Sequence, residues 1–317
     1  MPGPIGGGRA IGGRRAKSNN RNRQNMHSYL RAVGFSDVHD ITQLNLLIDE
    51  IVRFSTAKTV FEGSDGRLHA EISREFGDRI GLTVCGEYDQ NGMFYAEYVF
   101  PYFRGKNESS YESVVIEKHV ANDSCCGACD DLRVGATLIF YLQNMAEYAV
   151  RTLQRKKRNE IRATVFSALS MDGTVLLPVE KDESAAAEEQ TGIDREQLLQ
   201  AAREGDAEAI EYLSEEDFDT YSMLIERVSR EDVLSIVDTY FMPNGSDCEC
   251  YSVLGTIQSV EKTVNRATGE EIVALTLECN GITMDVAINA GDLVGEPREG
   301  RRFRGTIWLM GQVLFED

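Results

Sequence analysis

Three cysteines in one short segment come nearest to a chemical motif in this chain. Cys126 and Cys129 have the C-x-x-C spacing that zinc sites and thiol–disulfide chemistry both use. A closed zinc site needs four ligands, and the neighbouring Cys125 and His119 could supply the other two. Zinc or redox chemistry is therefore one hypothesis for this segment, while thiols without a chemical role in a loop are the commoner explanation.

The remaining cysteines complete a metal site poorly. Cys248 and Cys250 are separated by one residue, which is one fewer than the usual second pair of a zinc knuckle. The seven cysteines are an odd number, and no secretory signal precedes them, so thiols in a reducing cytoplasm fit better than a disulfide framework. We therefore predict no cofactor, with zinc as the alternative.

Two adjacent carboxylates follow the cysteines. Asp130 and Asp131, together with Glu87 or Glu97, could form a cluster for Mg²⁺ or for acid–base chemistry. Carboxylates are so frequent in this chain that such a grouping is expected by chance. A capping role for Asp130 at a turn is the simpler interpretation.

Basic residues concentrate near the C-terminus. Arg301, Arg302 and Arg304 precede Trp308, and charge next to an aromatic ring is typical of surfaces that bind single-stranded nucleic acid. These four residues are the candidate binding surface of the last domain. The alternative is that the arginines pair with the acidic segment that lies upstream, and we favour this alternative.

The overall charge disfavours nucleic acid as a partner. The net charge is −19, and the first 25 residues hold six basic residues and no acidic ones, which leaves −25 on the rest. A negative field repels phosphate backbones, so the folded body is not expected to bind a duplex. No apolar run approaches eighteen residues, and neither a phosphate-binding loop nor a G-x-S-x-G motif occurs.

Residues 26–180 show the periodicities of an α+β domain with a mostly antiparallel sheet. Helical spacing over residues 40–54 predicts a helix with one buried face, and Asn144 marks the start of another. Strand-like runs follow from residue 68, and Asn91-Gly92 and Asp172-Gly173 each predict a tight hairpin.

The flanking segments differ in composition. Residues 1–25 are predicted to be a disordered basic tail or to precede the true start at Met26. Residues 181–247 are predicted to be an acidic linker and helical segment, because residues 180–232 carry a net charge of −13. Residues 248–317 hold four strand-like runs with a glycine inside the first, which predicts a small β-barrel of the oligonucleotide/oligosaccharide-binding (OB) type, or of the SH3-like type.

Six segments spread over most of the chain share features with known sequences: Met26–Phe35, Phe100–Phe103, Cys129–Asp131 running into Ile139–Asn144, Ala201–Asp206, Glu231–Val233 and Ile236–Pro243. Together they resemble a bacterial family of unknown function from anaerobic Gram-positive, clostridial-type bacteria. The resemblance implies a cytoplasmic protein and no activity.

The sequence thus favours a cytoplasmic, non-catalytic binding or scaffolding protein that engages a protein partner. Two alternatives stay open. One is a metal- or thiol-dependent enzyme centred on residues 125–131, and the other is a single-stranded nucleic-acid binder that uses the C-terminal barrel.

Overall fold

The computed structural model describes residues 29–63, 66–118, 124–153, 161–178, 237–245 and 247–316. Strands dominate these residues and helices are few, so the described fold is mostly β, with less helix than the predicted α+β class implies. Most of the strand pairings are antiparallel, as predicted. Within the described residues, no helix is long and apolar enough to cross a membrane.

The first sheet has four strands in the order β1-β2-β3-β4, and we call it the four-stranded sheet. Its strands are β1 (Ala57–Glu62), β2 (Leu68–Glu75), β3 (Ile80–Tyr88) and β4 (Phe94–Phe103). The hairpin predicted at Asn91-Gly92 joins β3 to β4, where Gly92 has a φ of 77°. The Asp89 carboxylate accepts hydrogen bonds from the backbone N–H groups of Asn91 and Met93, which fixes this turn.

In the described part of the chain, two α-helices and two short 3-10 helices (Leu30–Val33 and Ala290–Asp292) accompany the sheets. Helix α1 (Ile41–Arg53) begins with a capping box, in which Asp40 accepts from the N–H of Gln43 while the Gln43 side chain accepts from the N–H of Asp40. Its buried residues pack into the same hydrophobic cluster as strands β3 and β4. Helix α2 (Met145–Leu153) begins directly after Asn144, as predicted.

The second sheet has ten strands, and we call it the ten-stranded sheet. Its strands are β5 (Val114–Lys118), β6 (Cys125–Asp131), β7 (Ala136–Leu142), β8 (Ile161–Leu176), β9 (Tyr240–Pro243), β10 (Cys250–Val264), β11 (Glu271–Cys279), β12 (Ile282–Asn289), β13 (Leu293–Val294) and β14 (Arg302–Phe315). Strand β8 pairs with β12 in parallel and with β14 antiparallel.

These pairings correct the predicted domain boundary. Strand β8 lies in the range 26–180 and its partners lie in the range 248–317, yet all three belong to the same sheet and to one compact unit. The two ranges are therefore not separate domains. The predicted basic tail, and residues 181–236 of the predicted acidic segment 181–247, fall outside the described residues. The described end of that segment was predicted as a part of the acidic linker and helical segment, but it contains strand β9.

The hairpin predicted at Asp172-Gly173 is wrong. Strand β8 runs without interruption from Ile161 to Leu176. A Cβ on Gly173 would lie 2.4 Å from the Phe303 ring, so this glycine allows a close approach of β14 and does not form a turn.

One arginine joins the two sheets. Arg79, between β2 and β3, has a φ of 61°, a left-handed conformation that costs a non-glycine residue roughly 1–2 kcal/mol. Its Nη1 donates to Asp285 Oδ2 on β12 at 3.0 Å, and its Nη2 donates to Glu261 Oε2 on β10 at 2.9 Å. The Asp285 side chain is 2% exposed and also accepts from the backbone N–H of Lys106 at 2.7 Å. We call Arg79, Lys106, Glu261 and Asp285 the inter-sheet ion cluster.

We expect Asp285→Asn to lower the free energy of unfolding by about 3–5 kcal/mol, because Arg79 loses its buried charged partner and keeps only the more exposed Glu261. Urea-induced unfolding followed by circular dichroism measures the change. The matched control is Glu271→Gln, which removes an exposed ion pair with Lys262 and should cost less than about 1 kcal/mol. Equal losses in the two variants would contradict a structural role for the ion cluster.

Candidate functional site

The predicted metal ligands on β6 do not come together. Side chains alternate between the two faces of a strand, so Cys126 and Cys129 point in opposite directions. Cys129 is fully buried in a hydrophobic cluster, whereas Cys126 is partly exposed, with its thiol 3.7 Å from the Glu117 carbonyl oxygen. His119 lies outside the described residues. Among the residues that are described, no three His, Cys, Asp or Glu side chains are arranged to hold a metal ion.

The two adjacent aspartates also lie on opposite faces. Asp130 is exposed and accepts a hydrogen bond from the Thr137 hydroxyl. Asp131 is buried, and it accepts from Ser110 Oγ at 2.7 Å and from Arg133 Nη2 at 2.6 Å. Burial raises the pKa of Asp131, but the hydrogen bonds from Arg133 and Ser110 outweigh this effect and hold the pKa below its usual value. Asp131 is therefore one half of a structural ion pair.

The aromatic residue of the predicted barrel surface is not available to a ligand. Trp308 is 7% exposed, and its ring centroid lies 5.2 Å from that of Tyr29 and 5.1 Å from that of Tyr141. Its indole thus belongs to the core that links β14 to β7. It cannot stack on a nucleic-acid base without a rearrangement of this core.

The three arginines of the same predicted surface do not form a continuous patch. Arg302 is 5% exposed, Arg301 is half-buried and donates to the Glu296 carbonyl oxygen, and Arg304 is exposed. Burial of Arg302 removes the middle of the expected basic surface.

A cavity of about 280 Å³ lies among the four-stranded sheet, strands β5 and β6, and helix α2. Its wall is mostly apolar, with aromatic side chains from β1, β4 and α2: Phe61, Tyr98 and Tyr148. Polar groups interrupt this wall at a few positions: Glu62, His69, Cys85, Glu97, Lys118 and Cys125. A concave apolar site with a few polar groups is the usual form of a small-molecule site. Of the candidate residues named from the sequence, Cys125 and Glu97 line it.

A row of polar side chains crosses the sheet beside this cavity. Glu71 on β2 is the register partner of Cys85 on β3, and Cys85 is the partner of Tyr98 on β4. Tyr98 hydrogen-bonds to the Cys85 thiol and to the Tyr141 hydroxyl. Burial raises the pKa values of Cys85, Tyr98 and Tyr141 well above their usual ranges, so all three are neutral near pH 7.

Glu71 is the ionisable group in this row. Burial raises the pKa of its carboxyl to about 7, and a hydrogen bond from the backbone N–H of Ala146, at the start of α2, offsets a part of this effect. The side chain is partly buried, beside lining residues of the cavity on β2 and β3.

Sequence reasoning did not single out Glu71. Strand periodicity over residues 68–76 puts His69 and Glu71 on the same face, but such a pattern is typical of an ordinary solvated strand and marks neither residue as functional. The cover that α2, β5 and β6 provide over this face depends on tertiary packing. The signal that could have found Glu71 is the cross-strand alignment of a carboxylate with a cysteine and a tyrosine.

We expect Glu71→Gln to change the pH dependence of stability. An unfolded glutamate loses its proton near the reference pKa of 4.5, whereas Glu71 in the folded protein holds its proton until about pH 7. The free energy of unfolding of the wild type therefore falls as the pH rises through this window. The stabilisation by Glu71→Gln should be about 2–3 kcal/mol larger at pH 8 than at pH 5.

Urea-induced unfolding at pH 5 and pH 8 measures this difference. Glu117→Gln is the matched control, because Glu117 is an exposed glutamate on a strand, and its effect should be the same at both pH values. A pH-independent effect of Glu71→Gln would show that the carboxyl does not titrate near neutrality.

Comparison with known proteins identifies one family. A family model described as a domain of unknown function from an E. rectale gene description, DUF3881, matches residues 30–311 and confirms the resemblance noted in the sequence. No curated protein and no solved structure matches the chain. Because the matched range covers most of the residues, the chain belongs to the DUF3881 family.

Proposed function

We propose that this protein is a non-catalytic binding protein that holds a small molecule in the cavity between the four-stranded sheet and helix α2. The observation that carries the proposal is the cavity itself, with a volume of about 280 Å³ and a largely apolar, aromatic wall. Walls of this kind enclose a ligand body, while a few polar groups fix its orientation.

The pKa values of the thiols support a binding function over catalysis by a cysteine. A nucleophilic cysteine needs a lowered pKa so that the thiolate is present at neutral pH. Burial instead raises the pKa of six of the seven cysteines: Cys85, Cys126, Cys129, Cys248, Cys250 and Cys279. These six are poor nucleophiles.

In this proposal, the C-terminal half of the chain is the scaffold of the protein. The pairings β8–β12, β12–β11, β11–β10, β10–β14 and β14–β8 return to their starting strand, which supports an OB-like barrel of five strands. Gly255 in β10 supports it further, because a Cβ there would lie 2.8 Å from the Glu278 carbonyl oxygen. Many of the buried apolar side chains of these strands pack into one cluster, and others belong to the cluster shared with the four-stranded sheet, so the barrel would serve as a core.

The predicted protein partner and the predicted cytoplasmic location stay proposals. Their support is the acidic composition of residues 180–232 and the finding that the described cysteines form no disulfide with one another. The single-stranded nucleic-acid alternative loses support, because Trp308 is buried in the core.

We expect a larger side chain in the cavity to block binding of a neutral aromatic dye. N-phenyl-1-naphthylamine, whose fluorescence rises in apolar sites, should bind the wild type in a saturable manner. Ala149→Phe places a ring in the cavity from α2 and should weaken this binding by at least about tenfold. Thr152→Trp is a second variant, because Thr152 is exposed and also lines the cavity, so the fold should tolerate it.

Ala136→Phe is the matched control, since Ala136 is exposed on β7 and does not line the cavity. Circular dichroism establishes that each variant is folded. Equal dye binding by the wild type and by both cavity variants would refute the proposed site.

A further inference from the structure

The chemical groups around Glu71 indicate which class of small molecule the cavity would bind. This inference rests on the proposed function, in which the cavity binds a small molecule. Among the described residues, the Glu71 carboxyl receives one hydrogen bond, from the backbone N–H of Ala146, and no Lys or Arg forms an ion pair with it. A carboxylate taken out of water is costly unless a cation or several hydrogen bonds compensate it. Above about pH 7, where it has lost its proton, Glu71 is thus a negative group beside a cavity, without a counter-ion from the described part of the chain.

Glu71 is not itself a lining residue of the cavity, but residues that line it surround Glu71. Its neighbour on the same face of β2, His69, lines the cavity, and so does its cross-strand partner Cys85. On the helix side, Met145 lines the cavity directly before Ala146, whose N–H contacts the carboxyl. The carboxyl therefore lies next to lining residues on two sides.

The other groups of the wall suit a cation with an aromatic or aliphatic body. Glu62 and Glu97 add carboxylates, and Phe61, Tyr98 and Tyr148 add aromatic rings, whose π-electron faces attract a positive charge. Lys118 is the lysine in this wall, and it already interacts with another residue. The net charge of −19 adds a long-range field that raises the local concentration of cations.

We infer that the ligand of this cavity is an organic cation, a small aromatic or aliphatic amine whose ammonium group pairs with the Glu71 carboxylate while its apolar body lies against the aromatic wall. A charge-assisted hydrogen bond of this kind is stronger than a neutral one. The ammonium group of the ligand would be the counter-ion of the Glu71 carboxylate, which the described part of the chain does not provide.

Two probes of the same shape test this inference. 2-Phenylethylamine carries the ammonium group, and 2-phenylethanol replaces it with a neutral hydroxyl. Isothermal titration calorimetry at pH 8, where Glu71 is largely ionised, should show at least about tenfold tighter binding of the amine by the wild type. Glu71→Gln should reduce this preference to about twofold or less, without weakening the alcohol.

Glu117→Gln, with its exposed strand glutamate, should leave the preference for the amine unchanged. 3-Phenylpropanoate, an anion of similar shape, should bind more weakly than the alcohol. These results together support both the charge of the ligand and the role of Glu71.

Other outcomes separate the failure of this inference from the failure of the proposed function. If both probes bind the wild type equally and Ala149→Phe removes both, the cavity binds ligands but does not select cations. If the preference for the amine persists in Glu71→Gln, another group recognises the charge and the role of Glu71 is refuted. If the neutral dye binds in the cavity and neither probe does, the inference fails alone. If the dye does not bind there either, both proposals fail.

Discussion

The inter-sheet ion cluster determines how the two sheets of this protein meet. Arg79 adopts an unfavourable left-handed backbone conformation, and from that position its guanidinium reaches β10 and β12 of the ten-stranded sheet. The same group lies 4.5 Å above the Phe103 ring of the four-stranded sheet. Buried ion pairs and their hydrogen bonds require a particular geometry. A shift of one sheet relative to the other would break several of these interactions together and leave buried charges without partners, which is costly in free energy.

This constraint matters for the cavity because its walls come from different parts of the fold. The four-stranded sheet provides one wall, and β5, β6 and α2 provide the others. A cavity between independently mobile layers would collapse, since apolar walls gain free energy by closing. The fixed distance between the sheets keeps it open. The raised pKa of Glu71 means that the ionised carboxylate lowers the stability of the folded protein. Such a local loss of stability is common at binding sites.

The sequence predicted helix starts and turns correctly where one short residue pattern determines the local structure. The capping residues Asp40 and Gln43 define the start of α1, and Asn91-Gly92 defines the hairpin between β3 and β4. The turn expected at Gly173 was wrong because glycine serves two purposes, and the packing partner that distinguishes them, Phe303, is far away in the chain.

The candidate site was much less predictable. The C-x-x-C spacing predicted a possible metal or redox site, but the two thiols of such a motif come together only when the segment forms a turn. The segment is instead a strand, and Cys126 and Cys129 lie on its opposite faces. Glu71 was overlooked because its environment arises from strands and a helix that no local pattern assigns to it. Burial of a charged residue is a tertiary property, and it becomes visible once the layers above the strand are known.

The placement of β8 has a consequence for how the chain is made. Ribosomal synthesis produces β8 well before β12 and β14, the strands between which it lies. Until those strands emerge, this long and largely apolar segment has two unsatisfied edges, which favour aggregation. The highly charged stretch that follows β8 leaves the ribosome next, and its negative charge would keep the growing chain in solution during this interval.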